Sequence, residues 1–443
     1  MAELERALAR GDEMPGADLV LQELRRTLRG TSRLAEQMGP AAGLFLAPLE
    51  PFLVDDGAEH VHPGRVSQAG IRPIWDWICR DVLPEEAKAY TAEITRLTAE
   101  NETGKAEQAA RAFQDRAVQQ IRHVLATLQA DDRARRRMAA QIGTPHAITD
   151  AGRVLSILSA RDGLATIASR LPMSIRNLSE DQLDGVKALL DSQAGRPDTF
   201  LCAVVMTMNR LVAPWQLIRL ATKAAESDKA SRVADGPYAV AVTIVLAELE
   251  RLVRALKRDL KRGRAAEVGP LLKDIHDTAR GLRTEMDLGM DSPWARQLAA
   301  VRSEVAELLK SEIESMPGRV RRLLRPRPVK EIAPGSALDS GDVAETEALI
   351  EFVGVCRNYA NELAINEMTL RTYSEVQHYL DTGTSALLDA LRTAGESDRN
   401  FRQSQVDAAV RFCAKVFGKE YASLLAKAAD VAANSERKAA AKA

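Results

Sequence analysis

Residues 239–263 read AVAVTIVLAELERLVRALKRDLKRG, and this stretch decides the fold. Val242, Val245, Leu249, Leu252, Leu256 and Leu260 recur at steps of three and four before Gly263. A strand places apolar side chains at every second position, whereas the 3.6-residue turn of an α-helix returns them to one face at three and four. The segment is therefore an amphipathic helix.

The same rhythm continues downstream. Val268, Leu272, Ile275, Ala279, Leu282 and Met286 mark a second helix. A third opens at Ser292-Pro293, an N-cap followed by proline at the first helical position, and carries Trp294, Leu298, Val301, Val305 and Leu308. Such alternation is the seam of coiled-coil-like packing, and short connections favour antiparallel neighbours. The expectation is an all-α protein of several amphipathic-helix bundles joined by Pro/Arg-rich linkers, with residues 146–316 as the central bundle. Within it, Ser179 and Gln182 form a capping box ahead of Leu183, Val186 and Leu190. Phe200 to Leu211 is apolar almost throughout and predicts a buried helix ended near Pro214.

Residues 317–342 read as a linker, with PGRVRRLLRPRPVK carrying six basic residues and no acid, then APGSALDSGD. A C-terminal helical domain is expected over 343–433. Leu349, Val353, Cys356, Ala360, Leu363 and Leu370 line its first helix, and Val406, Val410, Cys413, Phe417, Tyr421, Leu424 and Ala428 its last. Residues 434–443 predict a frayed tail. Toward the N-terminus, residues 1–145 form a helical region. Leu21, Leu24 and Leu28 suggest a helix over Asp18–Leu28, and prolines at 48, 51 and 63 predict an extended apolar crossing over 43–64. Ile71, Ile74, Trp75, Ile78 and Val82 mark the next helix; Ala87, Tyr90, Ile94 and Leu97 another; Phe113, Ala117, Ile121, Val124 and Leu128 a third.

Composition supports the helical reading: aromatics are only 4%, Ala, Leu and Val dominate the apolar side, and Ala, Leu, Glu, Arg and Lys are strong helix formers. A formal net charge of −1 excludes a globally polybasic surface, so any anion binding must be local. Cys79, Cys202, Cys356 and Cys413 lie far apart inside apolar patterns, reading as buried thiols of a reducing compartment. The charged start MAELERALARGDE resembles no secretory leader, and no apolar run approaches the ~20 residues that span a bilayer, so the cytoplasm is the expected address.

Two clusters stand out as candidate sites. Arg319, Arg321, Arg322, Arg325, Arg327 and Lys330 suit an anionic partner: a nucleic acid, an anionic lipid surface or an acidic partner protein. The structural alternative is that they cap the preceding helix and pair with nearby acids such as Glu312. Asn358, Glu362, Asn366, Glu367 and Arg371 suggest a polar pocket, with Glu367 on an apolar face, or equally a local Glu367–Arg371 ion pair. Asp55, Asp56, Glu59, His60 and His62 invite a metal, but His-x-His in a loop lacks the helical spacing that makes such a site convincing. Trp75 and Trp77 lie ~200° apart around a helix and cannot share a face. His123, His146, His276 and His378 are isolated, and no nucleophile elbow or phosphate loop accompanies them. These observations imply no cofactor and no metal. They favour a non-enzymatic interaction, scaffold or regulatory protein with a protein partner, over an enzyme or ligand-binding protein with an interhelical pocket and over a nucleic-acid or membrane-surface binder using residues 319–330. The stripes close within one chain or recruit a second, and periodicity does not choose.

Overall fold

The computed structural model describes residues 33–55, 63–128, 132–143, 146–263 and 267–440. The helical reading holds: eighteen α-helices, short 3-10 and π turns and one two-residue parallel ladder make up the regular structure among these residues. No described helix is long and apolar enough to cross a membrane. The helix expected over Asp18–Leu28 lies outside the described residues. The chain divides into two compact units, Met1–Ala247 with Glu285–Asp287, and Glu248–Thr284 with Leu288–Ala443, so the stretch 146–316 contributes to both.

The first unit holds α1 (Arg33–Met38), α2 (Pro40–Leu46), α3 (Gln68–Trp77), α4 (Pro84–Ala99), α5 (Thr103–Thr127), α6 (Asp132–Ile142) and α7 (Ala147–Arg170). These are followed by α8 (Glu180–Asp191), α9 (Pro197–Arg210), α10 (Leu217–Ala225), α11 (Ala230–Ala234) and the start of α12 (Ala239–Lys261). Residues 43–54 correct the expected extended crossing. They complete α2 and then form a 3-10 turn, Ala47–Phe52, before reaching the two-residue strand Leu53–Val54. Proline's fixed φ near −65° suits a 3-10 turn as well as an extended chain, so Pro48 and Pro51 are accommodated. What sequence shows correctly is the burial: Phe45, Leu46, Leu49 and Phe52 are fully buried. Phe45 lies 5.1 Å from Trp75 and 5.3 Å from Phe113, which stacks on Tyr90 at 4.5 Å. Trp75 thus joins an aromatic cluster while Trp77 is buried, so both act as core residues.

The buried carbonyls at the end of α2 find an unusual partner. Gln114 on α5 donates its side-chain amide to Phe45 O at 2.8 Å and to Leu44 O at 3.4 Å. The last carbonyls of a helix lack intrahelical donors, and leaving them unpaired in the interior is costly. The capping box of α8 forms as expected, and α9 is buried from Thr199 to Met208.

The second unit holds the rest of α12, then α13 (Gly269–Glu285, its final residue aside), α14 (Pro293–Leu324), α15 (Ser340–Asn358), α16 (Asn366–Arg392), α17 (Arg399–Val416) and α18 (Lys419–Ala440). The Ser292 hydroxyl caps α14 as expected. Leu298, Val301, Val305, Leu309, Ile313, Met316 and Val320 form its buried stripe, so Ile313 rather than Glu312 takes the inward position. Three boundaries differ from expectation. First, α14 does not stop at Pro317 but runs two turns on, because the burial of Met316, Pro317, Val320, Leu323 and Leu324 outweighs the one backbone bond that proline removes. Second, the periodic run from Leu349 to Leu370 is broken between Asn358 and Asn366, where Ala364 takes φ 57°. Third, the run from Val406 to Ala428 is broken at Gly418, whose φ of 95° ends α17 and resets the buried face of α18 to Ala422, Leu425, Ala429 and Ala432. The backbone stays helical to Ala440, where a frayed tail was expected from 434; Ala, Lys, Glu and Arg are all strong helix formers.

Candidate functional site

The arginine segment is positioned by the end of α14. Arg325 leaves the helix in an extended conformation because the residue before a proline is pushed out of the α region. The freed carbonyls are held from α17. Gln405, fully buried, donates to Leu323 O and Arg325 O at 3.0 Å each, and Arg402 donates to Arg327 O at 2.5 Å. Arg402 is itself paired with Asp398 at 3.3 Å, and both are nearly buried. Leu338 N donates to the Ser404 hydroxyl at 2.9 Å. The stretch read as a linker is thus two helical turns followed by a strap fastened to α17. Local pattern could not reveal this, because the fastening residues lie 66 to 82 positions away.

The six basic side chains have different surroundings. Arg319 pairs with Glu345 and Arg322 with Asp342, each at 3.4 Å, and Arg321 pairs with Glu375 at 2.6 Å. These pairs are 40–60% exposed on the arginine side, where an ion pair contributes ~0–1 kcal/mol. The Arg321 guanidinium also sits 5.7 Å from the centre of the Tyr379 ring. Burial raises the Tyr379 phenol above its ordinary pKa, and Arg321 opposes that rise. Arg327 turns inward over Phe401 at 5.1 Å. Arg325 and Lys330 are exposed and have no ion-pair partner among the described residues. The acids are those of α15 and α16, not Glu312.

Beside Arg325 lies a recess of about 210 Å³ between the end of α14 and α16. Its wall is almost wholly apolar and includes Leu324, Pro326, Tyr379, Leu380, Gly383 and Leu387. Tyr379, Gln405 and Arg402 were not singled out from sequence. Gln405 had a visible signal, being polar on the face that carries Phe401, Ala408 and Phe412.

The second cluster is dispersed. Asn358, Asn366 and Glu367 are exposed. Glu362 pairs with Arg283 at 2.8 Å, its carbonyl accepts from Arg302 at 2.6 Å, and Arg371 pairs with Glu314 at 2.9 Å. Glu367 stands in the first turn of α16, where a carboxylate is favoured by the helix dipole, and Leu370 is 48% exposed, so the two share no apolar face with Leu363. Of the loop acids and histidines, Asp56, Glu59, His60 and His62 lie outside the described residues; among those described, no three His, Cys, Asp or Glu side chains are grouped to hold a metal. Burial pushes the Cys79, Cys202, Cys356 and Cys413 thiols up to about 12, far from the thiolate form that nucleophilic chemistry needs.

Comparison with known proteins finds no family model, curated sequence or solved structure that matches this chain.

Proposed function

We propose that this chain is a non-enzymatic, cytoplasmic interaction protein that holds an acidic segment of a partner protein at the α14–α16 face. The observation that carries the reading is the juxtaposition of Arg325, exposed and unpaired among the described residues, with a 210 Å³ apolar recess edged by the Arg321–Tyr379 contact. An interface needs an apolar anchor in a pocket and a charged rim that steers and orients. One apolar side chain in the recess with a carboxylate over Arg325 meets both requirements. A polyanion is less well served, because Glu345, Glu375 and Asp342 already offset the neighbouring arginines.

Short labelled peptides of Asp and Glu around a central Leu-Phe pair, with single-stranded polyuridine as control, test this reading by fluorescence anisotropy. The expected result is peptide binding near ~10 µM, weakened about tenfold or more by Arg325→Glu and by Gly383→Leu. A Cβ at Gly383 meets nothing within 4 Å, so the leucine fills the recess without disturbing the helix. Peptide affinity unchanged by both variants, or tighter and steeply salt-dependent binding of polyuridine, would overturn the proposal.

A further inference from the structure

One buried amide of the first unit is only half used. Gln114 on α5 is 2% exposed and commits its Nε2 donors to Phe45 O and Leu44 O. Carbonyls accept only from the nitrogen end of the amide, which fixes its orientation and turns Oε1 away from α2. That oxygen is buried and has no hydrogen-bond partner among the described residues. A buried acceptor left unpaired is costly, so its presence calls for an explanation. Gln114 lines a hollow of about 400 Å³ bordered by α2, the Ala47–Phe52 turn, α5 and α7. The wall is mostly apolar, with Leu44, Pro48, Ala110, Leu164, Ala168 and Met206. Arg161 on α7 lines the same hollow. Its Nη1 donates to Leu158 O at 2.8 Å and its Nη2 to the Asp115 carboxylate, whereas its buried Nε has no partner among the described residues. Glu107 and Asp162 stand on the rim against Arg111 and Arg161, so neither sign of charge prevails.

We infer that this hollow binds a neutral small molecule with an apolar body and a secondary-amide edge, of the lactam or cyclic-imide class. The ligand N–H donates to Gln114 Oε1, and the ligand carbonyl accepts from the Arg161 Nε–H. Each group that the fold leaves unpaired is thereby satisfied, while the apolar wall covers the rest of the molecule. Other chemistries fit less well. A carboxylate sets an acceptor against Gln114 Oε1 and a charge against Glu107 and Asp162. An ammonium meets Arg111 and Arg161. A plain hydrocarbon leaves both polar atoms without partners. The hollow belongs wholly to the first unit and the recess beside Arg325 to the second, so the inference stands independently of the function proposed above.

Ligand-observed NMR on the full chain tests it with ε-caprolactam as the probe, and with N-methylcaprolactam, hexanoate and cyclohexylammonium for comparison. The expected result is saturable binding of caprolactam with a Kd on the order of 1 mM. The N-methyl compound, which cannot donate to Gln114, binds about tenfold more weakly, and neither ion binds. Ala165 lies on the exposed part of the α7 wall, so Ala165→Phe fills the hollow and removes binding while the melting temperature stays as in the parent chain. Gln114→Met takes away the acceptor, and the two lactams then bind alike. Should that variant fail to fold, Arg161→Lys keeps a charge for Asp115, loses the Nε–H donor and weakens caprolactam about tenfold. Absence of saturable caprolactam binding overturns the inference, as does binding indifferent to Ala165→Phe. Equal affinity of the two lactams for the parent chain, or a preference for either ion, overturns it as well.

Discussion

Two proline-rich helix ends, one in each unit, are built on the same device and turned to different uses. At the end of α2, Gln114 supplies the amide that the Leu44 and Phe45 carbonyls lack. At the end of α14, Gln405 does the same for Leu323 and Arg325, with Arg402 taking the Arg327 carbonyl. In both places a buried glutamine lets a helix end in the interior before a proline. The surroundings differ. The first end packs its Phe45 against Trp75 and Phe113 on one side, and on the other borders a separate hollow of about 400 Å³ whose rim carries two acids and two bases, Glu107, Asp162, Arg111 and Arg161. The second is rimmed by arginines, and its apolar wall opens to the recess. The comparison teaches that a helix end becomes a candidate site through its rim, while the cap itself is a matter of folding.

The strongest way to break the comparison is to remove the support that only the second end has. Arg402→Met leaves the Asp398 carboxylate buried without its partner and the Arg327 carbonyl without a donor. The expected loss is ~3–5 kcal/mol in urea unfolding of the second unit. Replacing both as Asp398→Leu with Arg402→Met should cost much less, because no orphan charge remains. A loss equal to that of the single variant would show that the pair itself stabilises the strap.

Gln114→Leu and Gln405→Leu probe the shared part, each with an expected cost of ~1–3 kcal/mol. The two costs should be similar. Each amide makes one buried and one half-buried hydrogen bond, Gln114 to Phe45 O and Leu44 O, and Gln405 to Leu323 O and Arg325 O. Hydrogen exchange should report faster protons near residues 44–49 in the first variant and near 323–327 in the second. A much larger cost at either position would show that its carbonyls are the drier pair.

How much of this was legible beforehand follows from the range of each interaction. The stripes of α4, α5, α12 and α13, the capping box at Ser179 and Gln182, and the Ser292 cap are local in sequence, and the structure reproduces them. The glutamine caps join residues 69 to 82 positions apart, so no window of sequence contains both halves. Pro317 misled because proline's intrinsic penalty of ~3 kcal/mol is visible locally, while the burial that offsets it is not. The Asp398–Arg402 spacing was readable, but on sequence it is indistinguishable from an exposed i,i+4 pair. Leu363 and Leu370 share a period without sharing a helix, and nothing in the residues around Ala364 signals the break.

The smallest expected effect sharpens the contrast between the buried acids of the two units. Asp398 is matched by Arg402 from its own helix. Asp150 at the start of α7 is 1% exposed and only partly matched: Oδ1 accepts from Arg153 at 3.1 Å, while Oδ2 faces Gly70, where a Cβ would approach to 2.9 Å. Burial raises the Asp150 carboxyl above its ordinary value, more than the Arg153 charge and hydrogen bond lower it. A raised acid binds its proton more tightly in the folded chain than in the unfolded one, so its contribution to stability declines as pH rises from the unfolded carboxyl value through the folded one. Asp150→Asn removes that slope. Melting temperature followed from acid to neutral pH should therefore show the variant gaining on the parent as pH rises, with the gap closing again in acid. Asp398→Asn should do the reverse at neutral pH, because it strands the Arg402 guanidinium in the interior; a parent chain more stable than both variants at neutral pH would place Asp150 among the matched acids as well.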